Sequence, residues 1–328
     1  IGVILMTDWS FYMNLVLVIV LFLIGIALII KGGDVFVDAA AWIAEVSGIP
    51  KVIVGATVVS LATTLPEIIV SVFAALSGSA DIAIGNAIGS VTANIGLILS
   101  ICALFSPFAI KRSDYLLKGI LMVLAAACIY IFSLKGSLSI LGSILLLAIF
   151  IVFVIENIRS AKRDMIESDT EKPEGKEIWI NVIKFLLGTA GIVVGARFLV
   201  DNGQILAIRL GIPEAVVGVT LIAIGTSLPE LVTTITAVSK KHGALSVGNI
   251  IGANIIDTTL IVPLCGFVSG EALPAAAQSI ILDMPVCLLT AAIAIIPMLI
   301  CKKLMRWQGV ALLSVYAAYL FVMIKFFI

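Results

Sequence analysis

Two short segments place a proline and a carboxylate inside apolar stretches of helix length: Thr63-Thr64-Leu65-Pro66-Glu67 and Gly225-Thr226-Ser227-Leu228-Pro229-Glu230. Proline lacks an N–H and opens the helical hydrogen-bond ladder, freeing carbonyls one turn back, while hydrocarbon does not solvate the carboxylate. A carboxylate beside freed carbonyls is a donor set for a cation. In the first segment Ser60, Thr63, Thr64 and Glu67 are spaced i, i+3, i+4, i+7 and share one helix face. Asn86, Ser90 and Asn94 follow at i, i+4, i+8. The second segment offers Thr226, Ser227 and Glu230, then Asn249 and Asp257 with Ala253 between them. Carboxylate, amide and hydroxyl oxygens suit a hard cation such as calcium, which takes about six to eight of them. Two glutamates neutralise one divalent ion, and on its departure they repel each other, so protons or monovalent cations must replace it. The lone histidine, His242, sits in the basic run Lys240-Lys241-His242 and reads as a solvated loop residue, which argues against soft-metal chemistry.

The elements that must hold these residues are membrane-spanning helices. Of the 328 residues, 62% are hydrophobic and only 12% charged, with a mean hydropathy of +1.26. Apolar runs repeatedly reach the roughly 20 residues that cross a bilayer. The expected fold is an all-α polytopic membrane protein of about ten transmembrane helices, arranged as two inverted five-helix repeats with broken helices at the midplane. Spans are expected near 14–31, 52–76, 82–106, 115–134 and 138–158, then 178–200, 213–238, 244–268, 278–300 and 307–327. This gives an N-terminal repeat at 1–158, a polar linker at 159–177 and a C-terminal repeat at 178–328. The stretch Ile1 to Met13 does not read as a cleavable signal.

Acidic and basic residues balance at 20 each, so net charge suggests no nucleic-acid partner, and the placement of the bases is what informs. Most of them, Lys111, Arg112, Arg163 and Lys241 included, fall on the side that follows odd-numbered spans. By the positive-inside rule both termini are external and the 159–177 linker is cytoplasmic, in a multi-pass protein of the cell membrane. The five cysteines, Cys102, Cys128, Cys265, Cys287 and Cys301, lack metal-ligand spacing and read as small core residues.

The chain also repeats itself. One constant offset carries Glu67 to Glu230, Asn86 to Asn249, Asn94 to Asp257, Asp38 to Asp201 and Gly48-Ile49-Pro50 to Gly211-Ile212-Pro213, without a gap from about Gly32 to Ser100. Copies separated by an odd number of spans enter the membrane in opposite directions, and inverted repeats with interrupted helices mark a transporter with its site at the midplane. Gly85 and Gly89, and Gly248 and Gly252, form small-xxx-small steps that allow close helix approach.

At these residues the sequence resembles the calcium/cation antiporter superfamily. Gly55–Ser100 and Gly218–Val262 are similar to its two alpha repeats, with Gly-Asn-Ala-Ile-Gly-Ser at 85–90 and Gly-Asn-Ile-Ile-Gly-Ala at 248–253 alongside the two Pro-Glu motifs. The resemblance implies a secondary active antiporter in which Glu67 and Glu230 share the calcium, helped by main-chain oxygens of Thr63 and Thr226, with Asn94 and Asp257 facing them. It implies no cofactor and no enzymatic activity; the bound species are Ca2+ and its counter-ion, within the lipid bilayer. In prokaryotic sodium/calcium exchangers of the superfamily, flanking sodium sites draw on serines of these motifs. Here Ser227 and Ser90 are kept, but Thr64 and Ala253 replace the other two. Ser60 adds a hydroxyl in the first half. Loss of an oxygen at Ala253 favours H+ as counter-ion, with Na+ the alternative.

Asp257 would overcharge a calcium site, so it is expected to be protonated in at least one state and to donate to a neighbouring glutamate. Asp34 and Arg197 occupy equivalent repeat positions and either pair across the interface of the first and sixth spans or snorkel separately. Those two spans are expected to slide or rock against the bundle, with Gly32-Gly33, Gly188 and Gly191 as flexible points. A passive cation channel is the less favoured reading, because inverted copies argue for alternating access. An intramembrane protease would need facing aspartates or a Ser/His pair, which the chain does not present. The oligomeric state is left open, a monomer included.

Overall fold

A computed structural model describes residues 2–77, 81–163, 175–210, 225 and 227–327, the side chains at 2–14, 81, 82 and 327 excepted. The order is α1 (Gly2–Ser47), α2 (Lys51–Thr63), α3 (Leu65–Leu76), α4 (Ala83–Phe105), α5 (Arg112–Ser133) and α6 (Ile140–Arg163). Then follow α7 (Gly175–Arg209), α8 (Leu228–Ser239), α9 (Gly243–Ser269), α10 (Ser279–Cys301) and α11 (Arg306–Phe327). Two-residue strands β1 (Ser137–Leu138) and β2 (Leu273–Pro274) pair antiparallel and tie the α5–α6 turn to the α9–α10 turn.

Among the described residues eight helices are long and apolar enough to cross a membrane, and the bent pair of α2 and α3 makes a ninth. The span expected at 213–238 lies mostly outside the described residues, with α8 forming its second part. Helices α1 and α7 are much longer than expected. Gly48, at φ +68, ends α1 where a side chain would be strained. Helix also claims both ends of the linker expected at 159–177, up to Arg163 and from Gly175; its residues 164–174 lie outside the description. Arg, Lys and Glu at those ends are good helix formers, so polarity alone did not stop the helices.

The broken helix follows from its sequence. The chain bends by 47° between Thr63 and Leu65, and Thr64 sits at φ −83, ψ −3. Pro66 brings no N–H to the ladder, which leaves the Ala62 carbonyl without its usual donor, and its fixed φ suits the first turn of the new helix. Helices α4 and α9 each widen into a π-turn, at Asn94–Leu99 and Asp257–Ile261. These open at the equivalent positions Asn94 and Asp257, and such turns cluster at functional sites. Sequence reading had no signal for them.

Glycines set two close helix crossings. A Cβ at Gly25 would lie 2.9 Å from the Gly195 carbonyl oxygen, and one at Gly32 would lie 3.0 Å from that of Gly188. Gly25 and Gly188, like Gly32 and Gly195, are repeat equivalents. The α1–α7 contact is therefore antiparallel and two-fold. Both helices run unbroken through these glycines, which serve here as contact points rather than hinges. At the α2–α9 crossing, a Cβ at Gly252 would meet Ala56 O at 2.5 Å, and Gly55 and Gly248 face the carbonyls of Leu245 and Val52. No described atom comes within 4 Å of a Cβ at Gly85 or Gly89.

The main core lies among α4, α5, α9 and α10, around Ile88, Ile98, Ile129 and Ile250. Outer helices present Leu23, Ile151 and Phe321 outward, a surface that a bilayer covers. Cys102, Cys265 and Cys287 are buried and Cys128 is half-buried, as expected of small packing residues, but Cys301 is exposed because it closes α10.

Asp34 and Arg197 do not pair with each other. Lys240 Nζ lies 3.4 Å from Asp34 Oδ1 and 2.8 Å from Asp38 Oδ1, while Arg197 pairs with Asp201 of its own helix at 3.6 Å. Helix α1 thus closes on α8 at this end: Val232 and Thr236 approach within 2.8 and 3.1 Å of a Cβ placed at Gly33. The repeat equivalents of Val232 and Thr236 are Ile69 and Phe73 of α3, which are 53% and 65% exposed. The two halves are not in the same arrangement.

Candidate cation site

Glu67 stands in the first turn of α3 and Glu230 in the first turn of α8, each one residue after its proline. There the unpaired N–H groups and the helix dipole favour a carboxylate. Asn94 and Asp257 start the π-turns of α4 and α9, and all four residues are 1% exposed. Glu67 feels the charges of both Glu230 and Asp257, and Asp257 that of Glu230, so the three acidic groups form one electrostatic cluster in the bundle interior.

The neutral residues knit the halves together. Thr64 Oγ1 donates to Ser60 O at 2.6 Å and faces Glu230 Oε1 at 3.5 Å across the repeat boundary. Thr63 Oγ1 donates to Asn249 Oδ1 at 3.3 Å, and Asn249 Nδ2 donates to Thr233 Oγ1 at 3.0 Å. Ser60 sits at the α2–α9 crossing, 2.6 Å from a Cβ placed at Gly252, and donates to Thr57 O. Asn86 is half-buried and donates to Ser71 Oγ at 2.9 Å. Thr226 lies outside the described residues.

What remains after those bonds defines the site. Nine buried side-chain oxygens among the described residues have no hydrogen-bond partner, and six belong to Glu67, Glu230, Asp257, Asn94, Ser90 and Ser227. All six stand among the residues expected from sequence to hold a cation. An unpartnered buried polar atom costs about 1–3 kcal/mol, and more when it carries charge, so six of them on the residues of two repeat-equivalent segments mark a candidate ligand site. Carboxylate, amide and hydroxyl oxygens left over in this way are the kind of ligand a cation takes. Among the described residues no group of three or more His, Cys, Asp or Glu side chains could hold a metal by itself. The candidate donors are carboxylates with neutral oxygens, a set whose chemistry suits sodium or calcium better than zinc or copper.

Sequence reasoning missed Asn254, Thr233, Ser71 and Met122. Asn254 had a usable signal, since it lies three residues before Asp257 and so on the same face of α9. Met122 had none, because its approach to the site is purely tertiary.

A helical membrane bundle with buried acidic residues at the starts of two repeat-equivalent helices, one of them the second part of a bent pair, has the make-up of an ion-transporting membrane protein. Residues 17–158 and again 180–325 match the family described as sodium/calcium exchanger protein, and the chain belongs to that family of antiporters. It is 30% identical to the sodium/calcium exchanger MaX1 of Methanosarcina acetivorans over 340 residues, covering 92% of this chain and 97% of that one. It is 38% identical to the inner membrane protein YrbG of Escherichia coli, over 78% of this chain and 82% of that protein. Among solved structures, the sodium-calcium exchanger NCX_Mj soaked with 10 mM Na+ and zero Ca2+ superposes with a TM-score of 0.80 at 29% identity, covering 95% of this chain and 99% of that one.

Proposed function

We propose that this antiporter exchanges Ca2+ for Na+ by alternating access, with Glu67 and Glu230 sharing the Ca2+ and Asn94 and Asp257 completing the cluster. The observation that supports the reading is the set of six unpartnered buried oxygens, one each on these four residues and on Ser90 and Ser227. Charge balance sets the exchange rule: two glutamates neutralise one Ca2+ in the low-dielectric interior, so at least two monovalent charges must enter when it leaves. The hydroxyls of Ser90 and Ser227 are among the unpartnered buried oxygens and are taken as further ligands for small monovalent ions. Those two hydroxyls, with relatives along the whole chain named as sodium/calcium exchangers, outweigh the preference for protons drawn from sequence alone.

Calcium/proton exchange is the second reading. It is favoured by Ala253, which stands where the other half has Ser90 and offers no oxygen, and by Asp257, which can carry a proton. The division into repeats at 1–158 and 178–328 belongs to the same proposal and is supported by the twofold family match and the two-fold α1–α7 contact. Both termini external and a cytoplasmic linker follow from the distribution of bases.

Reconstitution into liposomes separates the readings. Calcium uptake driven by an outward Na+ gradient, and indifferent to a pH gradient, is the expected result; uptake driven only by an outward proton gradient would select the second reading. Uptake that needs neither gradient would overturn exchange in favour of a passive pathway.

A further inference from the structure

Asn94 Nδ2 donates to Asn254 Oδ1 at 3.0 Å, and Asn254 Nδ2 reaches Met122 Sδ at 3.6 Å. The three side chains are 1%, 0% and 2% exposed, so no solvent competes for these contacts. They join α4, α9 and α5 in one chain that ends at an atom with a single capability. A thioether sulfur accepts and never donates. Asn254 must therefore turn its NH2 toward Met122, which leaves its carbonyl toward Asn94. Asn94 must in turn spend its NH2 on Asn254, which leaves its Oδ1 as one of the unpartnered oxygens of the cation cluster.

The reversed arrangement is chemically possible for both amides and bad for the site. It would set the Asn254 oxygen against sulfur lone pairs and aim the Asn94 NH2 at the cation. An amide has an acceptor and a donor end of nearly the same shape, so packing alone does not choose between them. We infer that Met122 and Asn254 are positioning residues that fix the polarity of the Asn94 amide, so that it presents oxygen rather than N–H to the transported ions. This rests on the reading of the cluster as a cation site and adds to it a determinant that touches no ion.

The test is a double-mutant cycle on the purified full-length protein, with equilibrium binding of Ca2+ as readout. Met122→Leu keeps the volume and removes the acceptor; it is expected to weaken Ca2+ binding about three- to ten-fold, the effect of releasing one neutral hydrogen-bond constraint. Asn254→Leu should weaken it at least as much. In an Asn94→Asp background, where both ends of the side chain are oxygen and polarity has no meaning, Met122→Leu should cause no loss. Asn94→Leu, which removes the amide altogether, is a second background with the same expectation should Asn94→Asp fold poorly. Equal losses in all backgrounds would reduce Met122 to a packing residue and overturn the inference, as would no loss in the parent. A parent that binds neither Ca2+ nor Na+ would instead overturn the cation reading itself, a result distinct from both.

Discussion

Glu67→Gln and Glu230→Gln each remove one charge while keeping the shape of a side chain buried to 1% exposure. Each substitution changes the bound state and the empty state in opposite senses. With calcium bound, a carboxylate at about 2.4 Å from the doubly charged ion in a medium of effective dielectric about 20 contributes about 14 kcal/mol of Coulomb attraction. In the empty site, two carboxylates that share an ion stand about 5 Å apart, and neutralising one of them relieves about 3 kcal/mol of repulsion. The difference, about 11 kcal/mol, is well above the ~4 kcal/mol of a thousand-fold change, so Ca2+ binding should weaken by at least about a thousand-fold. Because Gln retains a carbonyl, the contact from Thr64 Oγ1 to Glu230 Oε1 has a replacement acceptor, and the fold should survive. Titration calorimetry gives the binding loss, calcium uptake into liposomes gives the flux, and a melting curve certifies folding. Both variants should lose calcium flux altogether. Near-normal binding or flux in either folded variant would refute the pairing of these two carboxylates around one ion.

Asp257→Asn should retain measurable calcium transport, because a third negative charge is in excess of what one divalent ion needs; complete loss in a protein that melts normally would make Asp257 an obligatory anionic ligand. Gly252→Val should destabilise the protein by about 1–3 kcal/mol through overpacking, since even a Cβ would stand 2.5 Å from Ala56 O and 2.6 Å from Ser60 Oγ; an unchanged melting temperature would show that the α2–α9 crossing yields easily. Lys240→Gln removes two half-exposed ion pairs that hold α1 on α8 at one end only. Its repeat equivalent is Ser77, so the other half has no counterpart. A thiol placed at Thr236→Cys, with Cys301→Ser, should then react a few-fold faster with a polar maleimide, matching the modest value of exposed pairs; an unchanged rate would show that packing at Gly33 alone keeps this end shut.

The site was legible in the sequence because its chemistry runs against its surroundings. Polar residues inside apolar spans stand out, and a duplication repeats them, so Glu67, Glu230, Asn94 and Asp257 could be selected without coordinates. Pro66 likewise announces the bend between α2 and α3, and Pro229 the start of α8, since proline acts on the backbone locally. Helix ends were less legible. The residues between 31 and 47 carry Lys31, Asp34, Asp38 and Glu45, which hydropathy reads as the end of a span, yet α1 continues through them to Ser47. The extension is held by tertiary contacts, with Gly32 against α7, Gly33 against α8, and Lys240 on two of its acids.

Sequence by itself determined the class of protein, the bend before Pro66 and the residue types of the candidate site, because each of these is written in local composition and spacing. Tertiary structure alone decided which oxygens remain free. Ser60 and Asn86 belong to the same polar faces as Thr64 and Asn94, but the helix crossing takes up one hydroxyl and Ser71 takes up the other amide. It also decided that the halves differ in arrangement, with α1 closed on α8 while Ile69 and Phe73 of α3 stand exposed. And it brought the sulfur of Met122 to the far end of the amide chain that orients Asn94. Hydrogen-bond partners and helix contacts depend on residues far apart in the chain meeting in space, and repeat symmetry in the sequence does not specify how that meeting breaks the symmetry in the fold.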